Sequence, residues 1–563
     1  MEPLAAATRA AYLERLARDR FDVLVIGGGI TGAGVALDAA VRGYRVALVE
    51  KVDFASGTSS KSTKLVHGGI RYLPQFDFAL VHEALVERGL LVRNAPFLVQ
   101  PLAFVLPLYQ HARRPVGVPI TPPGGYGLGL MLDAGLWMYD LMAGRLNVAR
   151  HRRIKPEQAL RLTPALRREG LRGAFLYYDA QTNDTRLTLA VLRTAAQHGA
   201  VITNYTEVIG FTRAADGKLN GAYVRDVLSN QEFTVRARHI INAAGVFAER
   251  VEALTGDESK VAIEPSKGIH LVVARDRVKI SDTALVLPET DDGRILFVIP
   301  WGVRAVIGTT DTGKGDLDDP EATPQDIAYL LDHVNRFMDV NLTADDILSV
   351  YAGYRPLVKS REARAANLSR THVVLQEANG MVSIVGGKLT TYRRMAQDTV
   401  DVIAKRDGMP IVHPTERLPL AGAVGWQDAQ REIEAYGRRL GLSQDVLDHL
   451  KFNFGGNARS VLELVEEDTE LGERIVPDLP YLRAEVIYAC RGEMAQTLED
   501  VLARRTRIML EDMERGAGVA EDVAALMARE LAWSADRTRA EVEKYRTLVG
   551  HQLEAEGLAA RRR

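Results

Sequence analysis

The chain has 563 residues, 47% of them hydrophobic, a formal net charge of −2 at pH 7 and a single cysteine, Cys490. This length suffices for two or three domains, and the balanced charge argues against nucleic-acid binding, which usually requires a strongly basic face. One cysteine excludes an internal disulfide framework and any cysteine-ligated zinc or iron–sulfur cluster. It favours a reducing, cytoplasmic compartment, and we predict no bound metal. The N-terminus lacks the apolar core of a signal peptide, and we expect no membrane-spanning helix.

The first predicted elements form a dinucleotide-binding unit. Residues 23–26 are typical of an apolar strand covered on both faces, and residues 33–41 of an Ala-rich helix. Between them, Gly27, Gly29 and Gly32 have the G-x-G-x-x-G spacing. Such glycines allow a tight turn, close approach of the backbone to a pyrophosphate and close helix packing.

The residues after this unit indicate which dinucleotide is bound. A second strand, residues 45–49, ends on Glu50, where a carboxylate can accept hydrogen bonds from a ribose diol. The segment 56–62 and its basic continuation offer many small donors, which suits the phosphates and flavin ring of an extended FAD better than a mobile nicotinamide. We predict FAD bound non-covalently, since no histidine is placed for a covalent link. The contacts predicted from this region are Thr58, Ser59, Ser60, Lys64, His67 and Gly69.

Strands and helices then alternate irregularly to about residue 400. The predicted elements are a helix at 187–198, a strand at 201–205, a hairpin of 221–225 and 233–241, a helix at 246–254, strands of a more antiparallel sheet at 269–274, 295–300 and 305–308, and a strand at 381–385. After the hairpin, Ala244 and Gly245 can again place backbone against the nucleotide. We expect the chain to return to the first domain after Ser349.

From residue 426 the pattern is helical. The predicted helices are 427–440, 444–451, 458–466, 484–494, 497–513 and 520–549, and a proline-spaced connector precedes them. Their apolar stripes predict packing, and Cys490 is expected to be a buried small hydrophobe.

The predicted fold class is α/β, with α+β character overall. It combines a Rossmann-like FAD-binding domain, an antiparallel-sheet substrate domain and an all-α C-terminal domain. The predicted boundaries are an N-terminal helical extension at 1–20, a discontinuous FAD-binding domain at 21–80, 160–260 and 350–409, a substrate-binding domain at 81–159 and 261–349, a connector at 410–425 and the helical domain at 426–563.

Seven motifs resemble those of one family in its order, over nearly the whole chain. They are DVLVIGGGITGAG, SGTSSKSTKLVHGGIRYL, SKGIHLVV, FVIPW with IGTTD, AGYRPL, VGGKLTTYR and RGEMAQTLEDVLARRTR. The chain resembles the FAD-dependent glycerol-3-phosphate dehydrogenases of the aerobic respiratory type, among the D-amino-acid-oxidase-like flavoproteins. The resemblance implies oxidation of sn-glycerol 3-phosphate to dihydroxyacetone phosphate, with electrons passed from FAD to a membrane quinone.

The resemblance also implies a substrate site. It places Arg71, Arg355 and Arg370 at the substrate phosphate or hydroxyls, with Tyr72 beside them, because guanidinium forks suit a phosphate dianion. An ordinary surface role stays open for each arginine, most of all for Arg370. His270 is the candidate proton acceptor, since histidine titrates near working pH, although a structural role stays open.

Further residues are assigned to the flavin. The turn at 386–391 is predicted to bind it through Gly387, Lys388, Leu389 and Thr390, and Lys388 could set a cation near the ring edge where negative charge accumulates on reduction. Thr309, Thr310 and Asp311 are expected to line the ring from the other domain. We assign no catalytic role to the segment 178–184, which matches the family's acidic positions only approximately.

Two alternatives stay open at this point. One is a glycerol-3-phosphate oxidase that passes electrons to O2, and the other is a non-catalytic flavin-binding sensor. A quinone acceptor requires contact with the membrane surface, for which the segment 97–146 and the amphipathic N-terminus are the candidates. We therefore expect a peripheral enzyme on the inner face of the cell membrane, and the C-terminal domain could carry a homodimer interface.

Overall fold

The computed structural model describes residues 4–110, 127–287, 290, 294–313, 315–358 and 371–559, with the backbone alone at residues 71, 74, 75, 127 and 128. The strands are β1 Arg20–Ile26, β2 Val46–Val49, β3 Leu65–Val66, β4 Val99–Tyr109, β5 Arg152–Ile154, β6 Leu171–Thr182, β7 Val201–Thr203, β8 Thr206–Arg213, β9 Leu219–Asp226, β10 Glu232–Asn242, β11 Ile263–Ala274, β12 Thr283–Leu287, β13 Leu296–Trp301, β14 Arg304–Gly308, β15 Ile347–Val358, β16 Val373–Gln376 and β17 Val382–Val385.

The α-helices in the same ranges include several short ones. They are α1 Ala6–Arg18, α2 Ile30–Val41, α3 Phe78–Asn94, α4 Gly127–Ala143, α5 Pro156–Leu162, α6 Asp184–Gln197, α7 Ala248–Ala253, α8 Arg275–Val278, α9 Pro324–Phe337, α10 Tyr392–Arg406, α11 Trp426–Arg439, α12 Gln444–Phe454, α13 Ala458–Glu467, α14 Arg483–Glu493, α15 Ile508–Glu511, α16 Ala520–Leu531 and α17 Ala535–Ala555.

The first sheet has a parallel centre. Among the described residues its order is β16-β17-β10-β1-β2-β7, and β9 and β8 extend from β10 as antiparallel strands. The central strand β1 is apolar because both of its faces are covered, as predicted. Helix α2 is buried nearly all round between α6 and α10, and a Cβ on Gly34 would lie 2.8 Å from the Tyr392 ring. Small residues therefore let α10 approach α2 closely.

The second sheet is largely antiparallel. Within the described ranges its order is β15-β11-β14-β13-β12-β4-β6-β3, with β5 on β6, and β12 and β4 form its parallel pair. The three strands predicted for this sheet are β11, β13 and β14. Strand β15 also belongs to it, along β11, so the chain rejoins the first sheet at Val373 and not directly after Ser349. The predicted fold class is confirmed, whereas the exact domain boundaries stay predictions.

The C-terminal helices share a core with the second sheet. Apolar side chains of β11, β13 and β14 and of α12 to α17 form one buried cluster, which includes Cys490 as predicted. Burial raises the pKa of the Cys490 thiol to about 12. The predicted helix 520–549 is two helices, because Ala532 turns left-handed at φ 51° and Ser534 caps α17.

The predicted helix 497–513 is likewise interrupted. A π-helical turn, Asp500–Arg505, is followed by Arg507 at φ 67° and the short helix α15. Buried arginines of this segment pair with a carboxylate of the nucleotide-binding domain. We attribute the interruption of the helix to those contacts.

The N-terminal helix is part of the core, which corrects its assignment as a membrane contact. Leu16 is fully buried, and the Arg9 guanidinium donates to the Asn204 carbonyl at 2.8 Å and pairs with the Asp226 carboxylate at 2.5 Å. Among the described residues, no helix is both long enough and apolar enough to span a membrane.

Candidate functional site

The glycine-rich turn joins β1 to α2 at the centre of the first sheet. Gly27 has φ 114°, and a Cβ there would lie 2.7 Å from the Ala243 carbonyl oxygen. A Cβ on Gly32 would lie 1.9 Å from the Gly27 carbonyl oxygen, so a larger residue cannot fit. Gly29 caps α2 without a side-chain hydrogen bond, which leaves the helix N-terminus suited to a phosphate.

Glu50 holds this turn in place from the end of β2. Its carboxylate accepts hydrogen bonds from the Gly28 amide at 2.7 Å and the Val52 amide at 2.9 Å. Burial raises the pKa of Glu50, although both bonds oppose that shift. The carboxylate also lines the cavity beside the turn, where the ribose was predicted.

A cavity of about 1100 Å³ begins at this turn and extends between the two sheets. Drug-sized ligands occupy pockets of roughly 300–1,000 Å³, so the space admits a large, extended ligand. The C-terminal domain contributes Glu499, Ala503, Met509, Leu548 and Gln552 to its wall. The predicted site residues that line it are Gly27, Gly29, Glu50, Thr58, Ser59, His67, Gly69, Tyr72, Ala244, Gly245, Thr309, Arg355, Gly387, Lys388, Leu389 and Thr390.

The Ser/Thr-rich segment after Glu50 closes over the start of α2. Ser59 accepts a hydrogen bond from the Ile30 amide at 2.9 Å, and Thr58 donates to the Tyr354 carbonyl at 2.7 Å. The segment therefore links the first sheet to β15 of the second. Ser60 and Gly32, predicted to contact the cofactor, lie behind the cavity wall among the described residues.

Arg355 is the described substrate-site arginine. It projects from β15 into the cavity, with 29% of its side chain exposed. Its guanidinium donates to the Thr309 hydroxyl and the Thr310 carbonyl, each at 3.0 Å, and lies 3.5 Å from the Asp311 carboxylate. These contacts fix the plane of the guanidinium fork.

The other two predicted arginines cannot be placed in the site. Arg370 lies outside the described residues, as does the side chain of Arg71. Their assignment to the substrate stays a prediction.

His270 lies behind the cavity wall. It is 2% exposed, its ring stacks on Tyr351 at 4.7 Å, and its Nε2 lies 2.9 Å from the Thr63 hydroxyl, which lines the cavity. Burial, aided by the charges of Lys64 and Arg355, lowers the pKa of His270 well below its usual range. This shift favours the neutral imidazole, and Thr63 connects His270 to the cavity.

The late turn after β17 contributes a second cation. Gly386 and Gly387 have φ 79° and 78°, and Lys388 after them sets its Nζ 4.2 Å from the centre of the Tyr72 ring. The next residues bring Thr390 against residues 56–69, which we call the flavin loop, where the Thr390 hydroxyl accepts a hydrogen bond from the His67 amide at 3.1 Å. These residues line one end of the cavity together.

Lys64 occupies a different place from the one predicted. Its ammonium donates to the Ser60 carbonyl and to Asp184, each at 2.7 Å, with 1% of the side chain exposed. Burial, with the charge of Arg507, lowers the pKa of Lys64 well below its usual range. Lys64 thus stabilises the loop that contains Ser60 from the side away from the cavity, and it is absent from the described cavity wall.

The two acidic residues of segment 178–184 are structural anchors that sequence reasoning passed over. Asp179 lines the cavity and accepts hydrogen bonds from Arg88 and Tyr139, each at 2.7 Å, and burial raises the pKa of Asp179. Asp184 binds Lys64. The sequence did carry a signal for these anchors. Two carboxylates lie at the end of an apolar strand, and a carboxylate buried there requires a cation or hydrogen-bond donors as partners.

Two family models match the chain. The one described as FAD dependent oxidoreductase matches residues 22–393, and the one described as C-terminal domain of alpha-glycerophosphate oxidase matches residues 413–538. Glycerol-3-phosphate dehydrogenase 2 of Mycobacterium tuberculosis is 41% identical over 550 residues, which are 97% of this chain and 91% of that protein. The chain belongs to the FAD-dependent glycerol-3-phosphate dehydrogenase family.

Other members of this family support the same assignment. The probable mitochondrial glycerol-3-phosphate dehydrogenase of Caenorhabditis elegans is 37% identical over 98% of this chain and 76% of its own length. The X-ray structure of the glycerol-3-phosphate dehydrogenase from Bacillus halodurans complexed with FAD is 31% identical, with a TM-score of 0.79 over 97% of this chain and 98% of that one. The cofactor of this chain is FAD, and the glycine turn, the N-terminus of α2 and the long cavity fit it.

Proposed function

We propose that this chain oxidises sn-glycerol 3-phosphate to dihydroxyacetone phosphate and passes the electrons to a membrane quinone. The observation that carries the proposal is that Arg355 and Thr63 line the same cavity as the glycine turn. Relatives named glycerol-3-phosphate dehydrogenase, at up to 41% identity over nearly the whole chain, support the choice of substrate.

The chain's residues suit the chemistry of a phosphorylated alcohol. Arg355 offers a preorganised guanidinium fork to the phosphate dianion. The neutral imidazole of His270 accepts the hydroxyl proton through the Thr63 hydroxyl, which passes its own proton to Nε2 over 2.9 Å. Bound FAD supplies the acceptor for the hydride. Lys388, next to Tyr72, stabilises negative charge that develops at the same end of the cavity.

Anaerobic mixing with substrate tests this function directly. Glycerol 3-phosphate should bleach the oxidised flavin absorbance of the purified protein, whereas glycerol, which lacks the phosphate, should bleach it far more slowly. A spectrum that glycerol 3-phosphate leaves unchanged would contradict the proposal, and equal rates with both alcohols would exclude the phosphate contact.

An exposed apolar surface supports the membrane part of the proposal. Leu130, Trp137 and Leu141 of α4 are 70%, 54% and 82% exposed, and their seven- and four-residue spacing puts them on one helix face. Phe76, which is 71% exposed, precedes α3, and Phe78, which is 39% exposed, is its first residue; α3 packs against α4. Large apolar residues that are exposed together are typical of a membrane or protein contact.

Only part of the membrane segment predicted from sequence, residues 97–146, belongs to this exposed surface. Within residues 97–146, Phe104 and Tyr139 are core residues, each 1% exposed, and His111, Arg113 and Arg114 lie outside the described residues. We define the apolar face as Phe76, Phe78, Leu130, Trp137 and Leu141, and we propose that it rests on the inner face of the cell membrane.

Vesicle sedimentation tests the membrane contact. Trp137→Glu with Leu141→Glu should release the protein from phosphatidylglycerol vesicles and slow reduction of a bilayer quinone. Val424→Glu, at a residue 76% exposed elsewhere, is the matched control and should change neither. Equal sedimentation of both variants would refute the membrane contact of this apolar face. Rapid release of hydrogen peroxide, with a rate that does not depend on quinone, would favour an oxidase.

A further inference from the structure

Asp184 lies where the C-terminal domain meets the flavin loop. It is fully buried at the start of α6, and Arg507 donates to its Oδ1 at 2.8 Å. Its Oδ2 accepts hydrogen bonds from the Ser62 hydroxyl and the Lys64 ammonium, each at 2.7 Å, and from the Ser62 amide at 3.1 Å. One carboxylate therefore joins an arginine of the helical domain to residues 62–64.

These bonds determine the position of Thr63, the residue that contacts His270. Lys64 has the left-handed φ of 61°, a conformation that its bonds to Asp184 and the Ser60 carbonyl maintain. Thr63 lies between the two anchored residues and contacts His270 at 2.9 Å. On the other side, the Tyr351 hydroxyl donates to the Ser62 carbonyl at 2.9 Å while its ring stacks on His270. A shift of Asp184 would therefore move Thr63 relative to the imidazole.

We propose that Arg507 is a positioning residue for the flavin site, acting through Asp184 to hold Thr63 against His270. The inference rests on the proposed function, in which Thr63 and His270 take the substrate proton. It gives the C-terminal domain a role in the reaction beyond packing.

The charges around His270 determine how the proposal is tested. Lys64 faces it from the loop, Asp184 from α6, and Arg355 and Tyr351 from β15, with Arg507 behind Asp184. Removing the Arg507 cation makes this group one unit more negative. Protonation of His270 then becomes easier, so the pKa of His270 should rise in Arg507→Met.

The variants are compared in the full-length holoenzyme. Arg507→Met should slow anaerobic flavin reduction by about 10- to 100-fold, the loss expected when a catalytic contact is misplaced by about 1 Å. The acid limb of its pH profile should move to higher pH. Arg507→Lys keeps the charge but lacks the guanidinium fork. It should return the acid limb of the pH profile to its parental position and recover part of the rate of flavin reduction.

Arg515→Met is the matched control. Arg515 is also buried, at 1% exposure, and its NH1 pairs with Glu556 at 3.0 Å inside the helical domain. Its loss should lower thermal stability and leave the pH profile unchanged. If both methionine variants lose stability and neither moves the acid limb, Arg507 is merely structural and the proposal is wrong.

A nuclear magnetic resonance titration separates this proposal from the proposed function. The His270 ring signal, identified by its loss in His270→Gln, should titrate at higher pH in Arg507→Met than in the parent. If the parent flavin is not bleached by glycerol 3-phosphate, the proposed function fails, yet the titration still tests the coupling. An unchanged His270 titration overturns the coupling whatever the substrate.

Discussion

Asp53 is one of the buried residues that bind the helical domain to the nucleotide-binding domain, and Asp53→Asn tests its contribution to stability. Its carboxylate pairs with Arg504 Nε at 2.6 Å and with Arg505 NH1 and NH2 at 2.6 and 2.8 Å. It is fully buried, and Asn204 adds a hydrogen bond at 3.1 Å. Asparagine keeps the shape but leaves two buried guanidinium groups without this charge.

The expected loss of stability follows from burial and charge. Burial acts to raise the pKa of Asp53, but the charges of Arg505 and Arg504 outweigh it and lower the pKa from 3.8 to about 2. At about 1.4 kcal/mol per pKa unit this shift corresponds to roughly 2 kcal/mol. Removing one partner of a buried pair costs about 3–5 kcal/mol when the remaining charge is left uncompensated. Because Arg504 keeps Glu499 at 2.6 Å and Asp500 at 2.7 Å, we expect the smaller loss of roughly 2 kcal/mol.

Heating the holoenzyme while following free flavin fluorescence measures this loss. Asp53→Asn should release flavin at a clearly lower temperature than the parent. Asp445→Asn removes an exposed carboxylate that pairs with Arg474 at 2.7 Å, and it should change the temperature little, since exposed pairs contribute about 0–1 kcal/mol. Equal shifts in the two variants would refute the reasoning.

The same pair predicts a pH dependence. Because the folded pKa of Asp53 lies below its unfolded value, its contribution is complete above pH 3.8 and is lost only as pH falls towards about 2. Between pH 4 and 7 the difference between parent and Asp53→Asn should therefore stay constant. A difference that disappears near pH 5 would place the relevant titration elsewhere.

Four further variants test the site. Gly32→Ala should lose FAD because its Cβ would lie 1.9 Å from the Gly27 carbonyl, whereas Gly135→Ala, in open space, should keep it in an absorbance assay. Arg355→Lys should raise KM for glycerol 3-phosphate roughly tenfold or more through loss of the fork, with the flavin spectrum unchanged. His270→Gln should slow flavin reduction by about 10²–10⁴, and in the parent the acid limb of stopped-flow rates should lie below the ordinary histidine value of about 6.5, since burial lowers the pKa of His270. Lys388→Met should make the flavin midpoint potential more negative in a redox titration, because a cation that favours the reduced form is lost.

Local patterns determined the nucleotide site. The spacing of Gly27, Gly29 and Gly32, the apolar strand before them and Glu50 after the next strand lie within 30 residues, and their geometry follows from the short connections between them. Three strands of the second sheet, β11, β13 and β14, were predictable for the same reason, because their alternation and turns are local. Lys64 follows this stretch by 14 residues and was misplaced, since its partner Asp184 is 120 residues away.

Tertiary structure alone decided how the far ends of the chain meet. Arg504 and Asp53 are 451 residues apart, and nothing in a basic helical sequence distinguishes an arginine that pairs inside the core from one in solvent. The exposed face of α4 was equally undetermined, because an apolar helix is expected to be buried until its neighbours are known. Sequence periodicity records which side of an element is apolar. Which charge lies beside which, and which apolar side stays uncovered, depends on contacts that only the folded chain makes.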